Sequence, residues 1–155
     1  MKHYIEEYHT FYEYMKQAQL TASEEDYLEM IYRLILNGGH EVRVNELALS
    51  LNITPPSVTK MIKKLKDKHL IQSERYGKIQ LTDQGYQIAC GLLARHEIVY
   101  SFLQMIGITN FILEETEKME HTMNNETIAY LQELVLFFTE NPEIYQYYQT
   151  FKKRQ

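Results

Sequence analysis

Apolar residues recur along most of this 155-residue chain at spacings of three and four, which is the period of an amphipathic α-helix. Residues 1–20 carry a tyrosine-rich stripe of this period, which predicts a helix that packs on the body or on a partner subunit. A new helix is predicted from about residue 22, because Thr21 and Glu24 have the spacing of a capping box. That helix is expected to stop at the Asn-Gly-Gly sequence of residues 37–39.

The middle of the chain has the pattern of a helix-turn-helix followed by a β-hairpin wing. A short strand precedes Asn45, which is expected to cap the first helix of the motif. Thr54 is the expected cap of the second helix, and Pro55 and Pro56 fit in a first turn whose N–H groups have no helical partner. Two short runs on either side of residues 76–77 then predict the two strands of the wing.

A long helix is predicted to follow the wing and to reach Gly107, and the remaining sequence is helical, acidic and aromatic. The predicted fold class is therefore mainly α, with an N-terminal winged helix-turn-helix, a small β-hairpin wing and an all-helical domain after it. We assign residues 1–20 to an N-terminal helical extension, residues 21–88 to the winged helix-turn-helix domain and residues 89–155 to the helical domain.

The distribution of charge changes the picture that the net charge gives. The chain carries −5 overall, which by itself argues against a nucleic-acid partner. The segment 56–78, however, holds seven lysine and arginine residues against two acids, so it carries +5 and the rest of the chain −10. A basic segment on an acidic body is typical of a DNA-reading surface, although a lysine face that only meets solvent has the same composition.

Other features of the composition exclude several classes of protein. Cys90 is the only cysteine, so an intrachain disulfide is excluded and a reducing compartment fits. The first twenty residues do not have the pattern of a signal peptide, and no run approaches the roughly 18 apolar residues that span a bilayer. We therefore expect a cytoplasmic protein without a membrane partner.

Two short motifs supply candidate metal ligands. Glu117, Glu120 and His121 are spaced so that a helix places all three on one face. Asp26 and Glu29 lie one helical turn apart, about ninety residues upstream. Acids near a helix N-terminus are also favoured by the helix dipole, and acidic helix faces are common in proteins that bind no metal.

His96 lies on the long predicted helix and is, taken alone, more typical of a packed or surface histidine. Together with the two motifs it completes a set of four carboxylates and two imidazoles without a thiolate. Oxygen donors with some imidazole favour Mn²⁺ or Fe²⁺ over structural zinc. One or two bound cations would also relieve the repulsion among the carboxylates.

Five segments of the chain together resemble one known family, the iron-dependent repressors, and within it the manganese-transport-regulator branch. The segment T-P-P-S-V-T-K-M at 54–61 resembles the start of that family's recognition helix. The segments at 26–32, 81–85, 95–97 and 117–121 follow the family's order at close to its spacing. The resemblance covers roughly residues 20–140.

This resemblance implies a Mn²⁺-responsive transcriptional repressor, and not an enzyme, that binds double-stranded operator DNA as a homodimer and controls manganese uptake genes. It implies that residues 89–155 bind metal and dimerise, and that the metal site is a binuclear Mn²⁺ centre. Fe²⁺ and other divalent ions are the alternatives. The iron-sensing branch has a thiolate at the position of Glu117 and a methionine at that of Asp26. The implied metal ligands are Asp26, Glu29, His96, Glu117, Glu120 and His121.

The residues that we expect to contact DNA lie at the start and along the basic face of the second motif helix, and on the wing. Base edges are predicted to meet Ser57, Thr59 and Lys60, and thymine methyl groups to meet Pro55 and Pro56. Phosphates are predicted to meet Lys63, Lys64, Arg75 and Lys78. With Thr54 included, the full set of residues expected at the DNA interface is Thr54, Pro55, Pro56, Ser57, Thr59, Lys60, Lys63, Lys64, Arg75 and Lys78.

Four alternatives remain open at the level of the sequence, and one of them is a winged helix that binds a protein partner instead of DNA. The first of the others is an iron- or zinc-responsive repressor of the same fold. The second is a winged-helix regulator that senses a signal other than a metal, with its acids merely solvated. The third is an enzyme with a binuclear carboxylate site, which the absence of a glycine-rich phosphate loop and of a nucleophile–base pair disfavours.

Overall fold

The computed structural model describes residues 11, 13–38, 41–73 and 78–154. The mainly helical fold expected from the sequence is confirmed. The helices are α1 (Ala22–Leu36), α2 (Val44–Ser50), α3 (Pro55–Asp67), α4 (Asp83–Ile106), α5 (Ile112–Glu120), α6 (Asn125–Glu140) and α7 (Pro142–Lys152). The strands are β1 (Val42–Arg43), β2 (Ile71–Ser73) and β3 (Lys78–Leu81). The chain forms two compact units that divide within α4, the first ending at Leu93 and the second beginning at Ala94.

Helix α1 begins where its sequence predicts. The Thr21 amide donates to Glu24 Oε2 at 2.9 Å, and the Glu24 amide donates back to Thr21 Oγ1 at 3.3 Å. This capping box satisfies two of the N–H groups that the first turn of a helix leaves without partners. Leu28 and Ile31, one helical turn apart, are fully buried and carry the apolar face of α1 into the core of the first unit.

The helix-turn-helix comprises α2 and α3, whose buried side chains Leu47, Val58 and Leu65 have no exposed surface. The prediction that Asn45 caps α2 is wrong, because β1 leads directly into the helix and Arg43 occupies the cap position. The Arg43 amide donates to Glu46 Oε2 at 2.8 Å, so the side chain of the third helical residue satisfies the N–H group of the cap residue.

Helix α3 starts after Thr54 and has its two prolines in the first turn, as expected. Thr54 takes the cap position, but its side chain makes no capping hydrogen bond to the helix. Its hydroxyl instead lies 3.0 Å from the hydroxyl of Ser57. The helix therefore begins where proline geometry favours a start, without a side-chain cap.

The strands form an antiparallel sheet in the order β1-β3-β2. Strands β2 and β3 are the two arms of the predicted wing, with Ile71 opposite Leu81 and Ser73 opposite Ile79. The tip of the wing, residues 74–77, lies outside the described residues. The arms join the core through Ile71 and Ile79, both buried.

In the second unit, side chains of α7 donate hydrogen bonds to the carbonyl groups at the C-terminal end of α4. Tyr145 and Gln149 each donate a side-chain hydrogen bond to the carbonyl of Met105, and Lys152 donates to the carbonyl of Ile106. These carbonyls belong to the last turn of α4, which has no helical N–H groups to meet them. Across the described residues, none of the helices has the length and apolar content to cross a membrane.

The described part of the N-terminal extension packs on the first unit. Residues 13–18 are helical, and Phe11 belongs to the core with only 5% of its surface exposed. Met15 and Ala18 pack against the same core. Residues 1–10 and 12, which carry most of the predicted tyrosine stripe, lie outside the described residues.

Candidate metal centre and nucleic-acid interface

Four of the six predicted metal ligands meet in the second unit. Glu117 and Glu120 lie on α5, and His121 is the residue at its C-terminal end. His96 comes from α4, and its Nδ1 lies 2.9 Å from Glu120 Oε2 and 3.8 Å from Glu117 Oε1. His121 Nε2 lies 3.6 Å from Glu120 Oε1 and 3.9 Å from Glu117 Oε2. Two carboxylates and two imidazoles thus converge, as the spacing of the motif on α5 predicts for three of them.

The burial of two of these groups is the strongest indication of a cation site. Glu120 exposes 1% of its surface and His96 exposes 5%. A carboxylate withdrawn from water is costly unless a positive charge or hydrogen-bond donors meet it. A divalent cation between the carboxylate and the imidazoles would supply the positive charge that the buried Glu120 carboxylate requires. Oxygen and nitrogen donors without sulfur fit a hard or borderline divalent ion.

Asp26 and Glu29, the other two predicted ligands, lie on α1 in the first unit. Glu29 is already engaged with a cation of its own helix. Its Oε1 accepts from Arg33 Nε at 2.8 Å and lies 2.7 Å from Arg33 Nη2. Sequence reasoning missed Arg33, although its spacing of four residues from Glu29 is the local signal for such a pair.

Helix α3 presents the basic face expected of a recognition helix. Lys60, Lys63 and Lys64 are exposed, while Val58 and Leu65 are buried on the opposite side. At the start of the helix, the hydroxyl groups already have partners within the protein. The Thr59 hydroxyl donates to the Pro55 carbonyl at 3.1 Å, and the hydroxyls of Thr54 and Ser57 bond to each other.

The wing contributes a second basic position. Lys78 on β3 lies 2.5 Å from Glu41 Oε2. This hydrogen bond and the positive charge of Lys78 lower the pKa of the Glu41 carboxyl below its ordinary value. A phosphate that binds Lys78 would therefore compete with Glu41, which sequence reasoning did not include. Arg75, the other predicted wing contact, lies outside the described residues.

Comparison with known protein families accounts for both parts of the chain. Residues 19–79 match the iron dependent repressor, N-terminal DNA binding domain, and residues 82–146 match the iron dependent repressor, metal binding and dimerisation domain. The chain belongs to the iron-dependent repressor family. The resemblance inferred from five sequence segments is thereby confirmed. Members of this family are DNA-binding transcriptional regulators, so the prediction that the chain is not an enzyme is confirmed as well.

Relatives and solved structures that the chain resembles agree with that assignment. The chain is 40% identical over 126 residues to the HTH-type transcriptional regulator MntR of Lysinibacillus sphaericus. The aligned residues cover 80% of this chain and 89% of the relative. The crystal structure of T. acidophilum IdeR superposes with a TM-score of 0.63 at 32% identity over 74% of this chain. The structure of the manganese regulator SloR gives 0.64 at 28% identity, also over 74%. The chain spans about half the length of those two solved structures, 53% and 54%.

Proposed function

We propose that the chain is a manganese-responsive transcriptional repressor that binds operator DNA as a homodimer and controls manganese uptake genes. The observation that carries the proposal is the buried pair of His96 and Glu120, with Glu117 and His121 beside it. These donors lie in a domain of the metal-binding and dimerisation type. Relatives that are about 40% identical are named MntR, which supports manganese as the signal.

We further propose that Asp26 and Glu29 complete this site as a binuclear Mn²⁺ centre. All six side chains are oxygen or nitrogen donors, and the only cysteine of the chain lies elsewhere in the sequence, at position 90. When bound, the ions supply the positive charge that lets four carboxylates share one region. In this proposal Glu29 exchanges its bond to Arg33 for a metal, which would leave the guanidinium free to turn towards solvent.

The distribution of ligands over both domains gives the proposed switch its mechanism. The dimerisation domain contains His96, Glu117, Glu120 and His121, whereas Asp26 and Glu29 belong to the DNA-binding domain. Side chains that hold the same ions restrict the motion of one domain against the other. A symmetric dimer must present its recognition helices about 34 Å apart to meet successive major grooves. Restricted motion raises the population with that spacing, and such couplings are typically about 1–3 kcal/mol.

The surface of the second unit supports the homodimer in this proposal. Helices α6 and α7 expose large apolar side chains, with Tyr130 at 62% and Tyr147 at 73% of their surfaces. Phe137 and Leu136 are also about half exposed, at 46% and 50%. Monomeric proteins rarely leave extended apolar patches in water, so a partner subunit is the expected cover.

For DNA recognition, we propose two groups of contacts, which lie on α3 and on the wing. At the start of α3, base edges meet Ser57, Thr59 and Lys60, thymine methyl groups meet Pro55 and Pro56, and Thr54 lies in the same interface. Lys63, Lys64, Arg75 and Lys78 neutralise phosphates along the helix and the wing. The exposed lysine side chains of α3 support this division, since a solvated ammonium exchanges its counterion for a phosphate at little cost in desolvation.

The proposal is tested by DNA binding at increasing metal concentration. A duplex is first selected from a random pool by the wild-type chain with Mn²⁺ present, and its affinity is then measured by anisotropy from zero to millimolar Mn²⁺. We expect affinity to rise with Mn²⁺ and Glu120→Gln to abolish that rise. Glu115→Gln, on the exposed part of the same helix, is the matched control and should respond like the wild type.

Unchanged DNA affinity across the Mn²⁺ range would reject the switch. The same titration with Fe²⁺, Zn²⁺ and Mg²⁺ distinguishes a manganese sensor from an iron- or zinc-responsive repressor. Metal analysis of the purified protein, with a Mn²⁺-dependent melting shift, separates both from a regulator of some other signal.

A further inference from the structure

We propose that residues 11 and 13–19, the N-terminal segment, are an additional element of the DNA-binding unit, and that Lys68 is the positioning residue that ties this segment to the recognition helix α3. All residues of the segment except the last precede residue 19, where the family match begins. The effect on DNA affinity rests on the function proposed above. The structural part of the inference concerns the free protein and does not depend on it.

Lys68 is the residue at the C-terminal end of α3, and its ammonium group is fully used within the protein. Its Nζ donates to the carbonyls of Ala18 and Gln19 at 3.2 and 3.1 Å and to Glu24 Oε2 at 3.0 Å. An ammonium group has three N–H donors, so these partners account for all of them. Lys68 is thus distinct from the exposed Lys63 and Lys64 of the same basic run.

The three acceptors of Lys68 are groups that a positive charge stabilises. Residues 13–18 form a helix, and the carbonyls at its end lack helical N–H partners. A positive charge at that position also meets the negative end of the helix dipole. Glu24, the third acceptor, belongs to the capping box of α1 and is 4% exposed. One side chain therefore joins the ends of three helices: the N-terminal segment, α1 and α3.

The other end of the N-terminal segment is held by packing. Phe11 is 5% exposed, and its ring lies directly over Gly91 of α4. A Cβ atom at Gly91 would lie 2.2 Å from Phe11 Cδ2, which is far closer than carbon atoms approach. Only glycine at position 91 leaves room for the ring. The N-terminal segment thus runs from α4 at Phe11 to the end of α3 at Lys68.

These contacts fix the end of the recognition helix to the rest of the first unit. Without them, the last turn of α3 keeps its backbone hydrogen bonds and the packing of Leu65 in the core, but loses its hydrogen bonds to α1 and to the N-terminal segment. A recognition helix with a looser end must be ordered when DNA binds, and that ordering lowers the affinity. Lys68 acts through this attachment, so its loss should leave the number of phosphate contacts unchanged.

The test compares Lys68→Met with Lys63→Met, which removes an exposed ammonium from the same helix. In the full-length free protein, we expect faster amide exchange over residues 61–67 in Lys68→Met than in Lys63→Met. With the duplex selected by the wild type, Lys68→Met should raise Kd about tenfold at every salt concentration, since hydrogen bonds to charged groups are lost. The slope of log Kd against log salt should stay as in the wild type, whereas Lys63→Met should reduce it by about one.

Phe11→Ala is the second variant and should reproduce both effects of Lys68→Met, with the double variant no worse than the more affected single one. Lys68→Arg, which retains charge and donors, should restore most of the affinity. A salt slope reduced by one in Lys68→Met would overturn the inference in favour of a phosphate contact. Exchange over residues 61–67 equal to that of Lys63→Met would overturn it as well. If the wild type selects no DNA, the proposed function fails, and the exchange measurement alone decides this inference.

Discussion

Replacing Gly91 by alanine should have opposite effects on stability depending on what occupies position 11. An alanine in the interior of α4 is favoured over glycine by about 1 kcal/mol of helix propensity. In the wild type, however, the new methyl group would lie 2.2 Å from one ring carbon of Phe11 and 2.5 Å from two others. Because the clash is with the body of a buried ring, the ring must leave its position.

The magnitude follows from what the ring contributes. Removing a buried phenylalanine side chain from a core costs about 3–5 kcal/mol. Gly91→Ala in the wild type should therefore lower the free energy of unfolding by about 2–4 kcal/mol, once the gain in propensity is subtracted. In a Phe11→Ala background the clash is absent, so the same substitution should raise it by about 1 kcal/mol.

Urea denaturation of the four proteins, in metal-free buffer at one protein concentration, measures both effects as a double-mutant cycle. Gln87→Ala, an exposed position on the same helix, is the control and should add independently in both backgrounds. A Gly91→Ala protein as stable as the wild type, or effects that simply add with Phe11→Ala, would refute the packing of Phe11 over position 91.

Three further outcomes are expected. Lys64→Ala should weaken DNA binding for all sequences and reduce the salt slope by about one; a change in sequence preference alone would contradict its role at phosphates. Glu117→Cys should shift the metal preference towards softer ions, and equal Mn²⁺ and Zn²⁺ responses in that variant would count against Glu117 as a ligand. Burial raises the pKa of Glu24, but its hydrogen bonds to the Thr21 amide and to Lys68 and the positive charge of Lys68 outweigh this and lower it overall. The contribution of Glu24 to stability is therefore present above the ordinary carboxyl pKa and is lost as pH falls through the lower pKa of the folded state. Unfolding curves of Glu24→Gln should lack this part of the acid sensitivity. Acid profiles of Glu24→Gln and the wild type that are identical would contradict this role.

The sequence predicted those parts of the fold that local chemistry determines. Thr21 and Glu24 specify the start of α1 through a capping box, and Pro55 and Pro56 specify the start of α3. The prediction that Asn45 caps α2 was wrong because the strand β1 leads straight into the helix, which leaves no room for a separate cap residue. Helix starts were thus predicted correctly where a capping box or prolines in the first turn mark them, and wrongly where β1 leads directly into the helix.

The candidate site was predictable on a single helix and less so between helices. The spacing of Glu117, Glu120 and His121 places them on one face of α5 by periodicity alone. The partner of Glu120, His96, is 24 residues away, and only the tertiary fold brings it to 2.9 Å. The contacts of Lys68 were likewise not predictable from the sequence. Its place in a run of lysines gives no sign that two of its three acceptors are backbone carbonyls some fifty residues upstream.

The hydroxyl groups at the start of α3 have a thermodynamic consequence for any duplex that this helix meets. In the free protein the Thr59 hydroxyl donates its one proton to the Pro55 carbonyl, and one of the hydroxyls of Thr54 and Ser57 donates to the other. A hydroxyl has one donor and two acceptor positions, so Thr59 can accept from a base edge without losing its internal bond, whereas donating to a base would exchange that bond for another. Amino groups of adenine and cytosine in the major groove are therefore the partners that Thr59 can meet at least cost, and the Pro55 and Pro56 rings can contact thymine methyl groups without any such exchange.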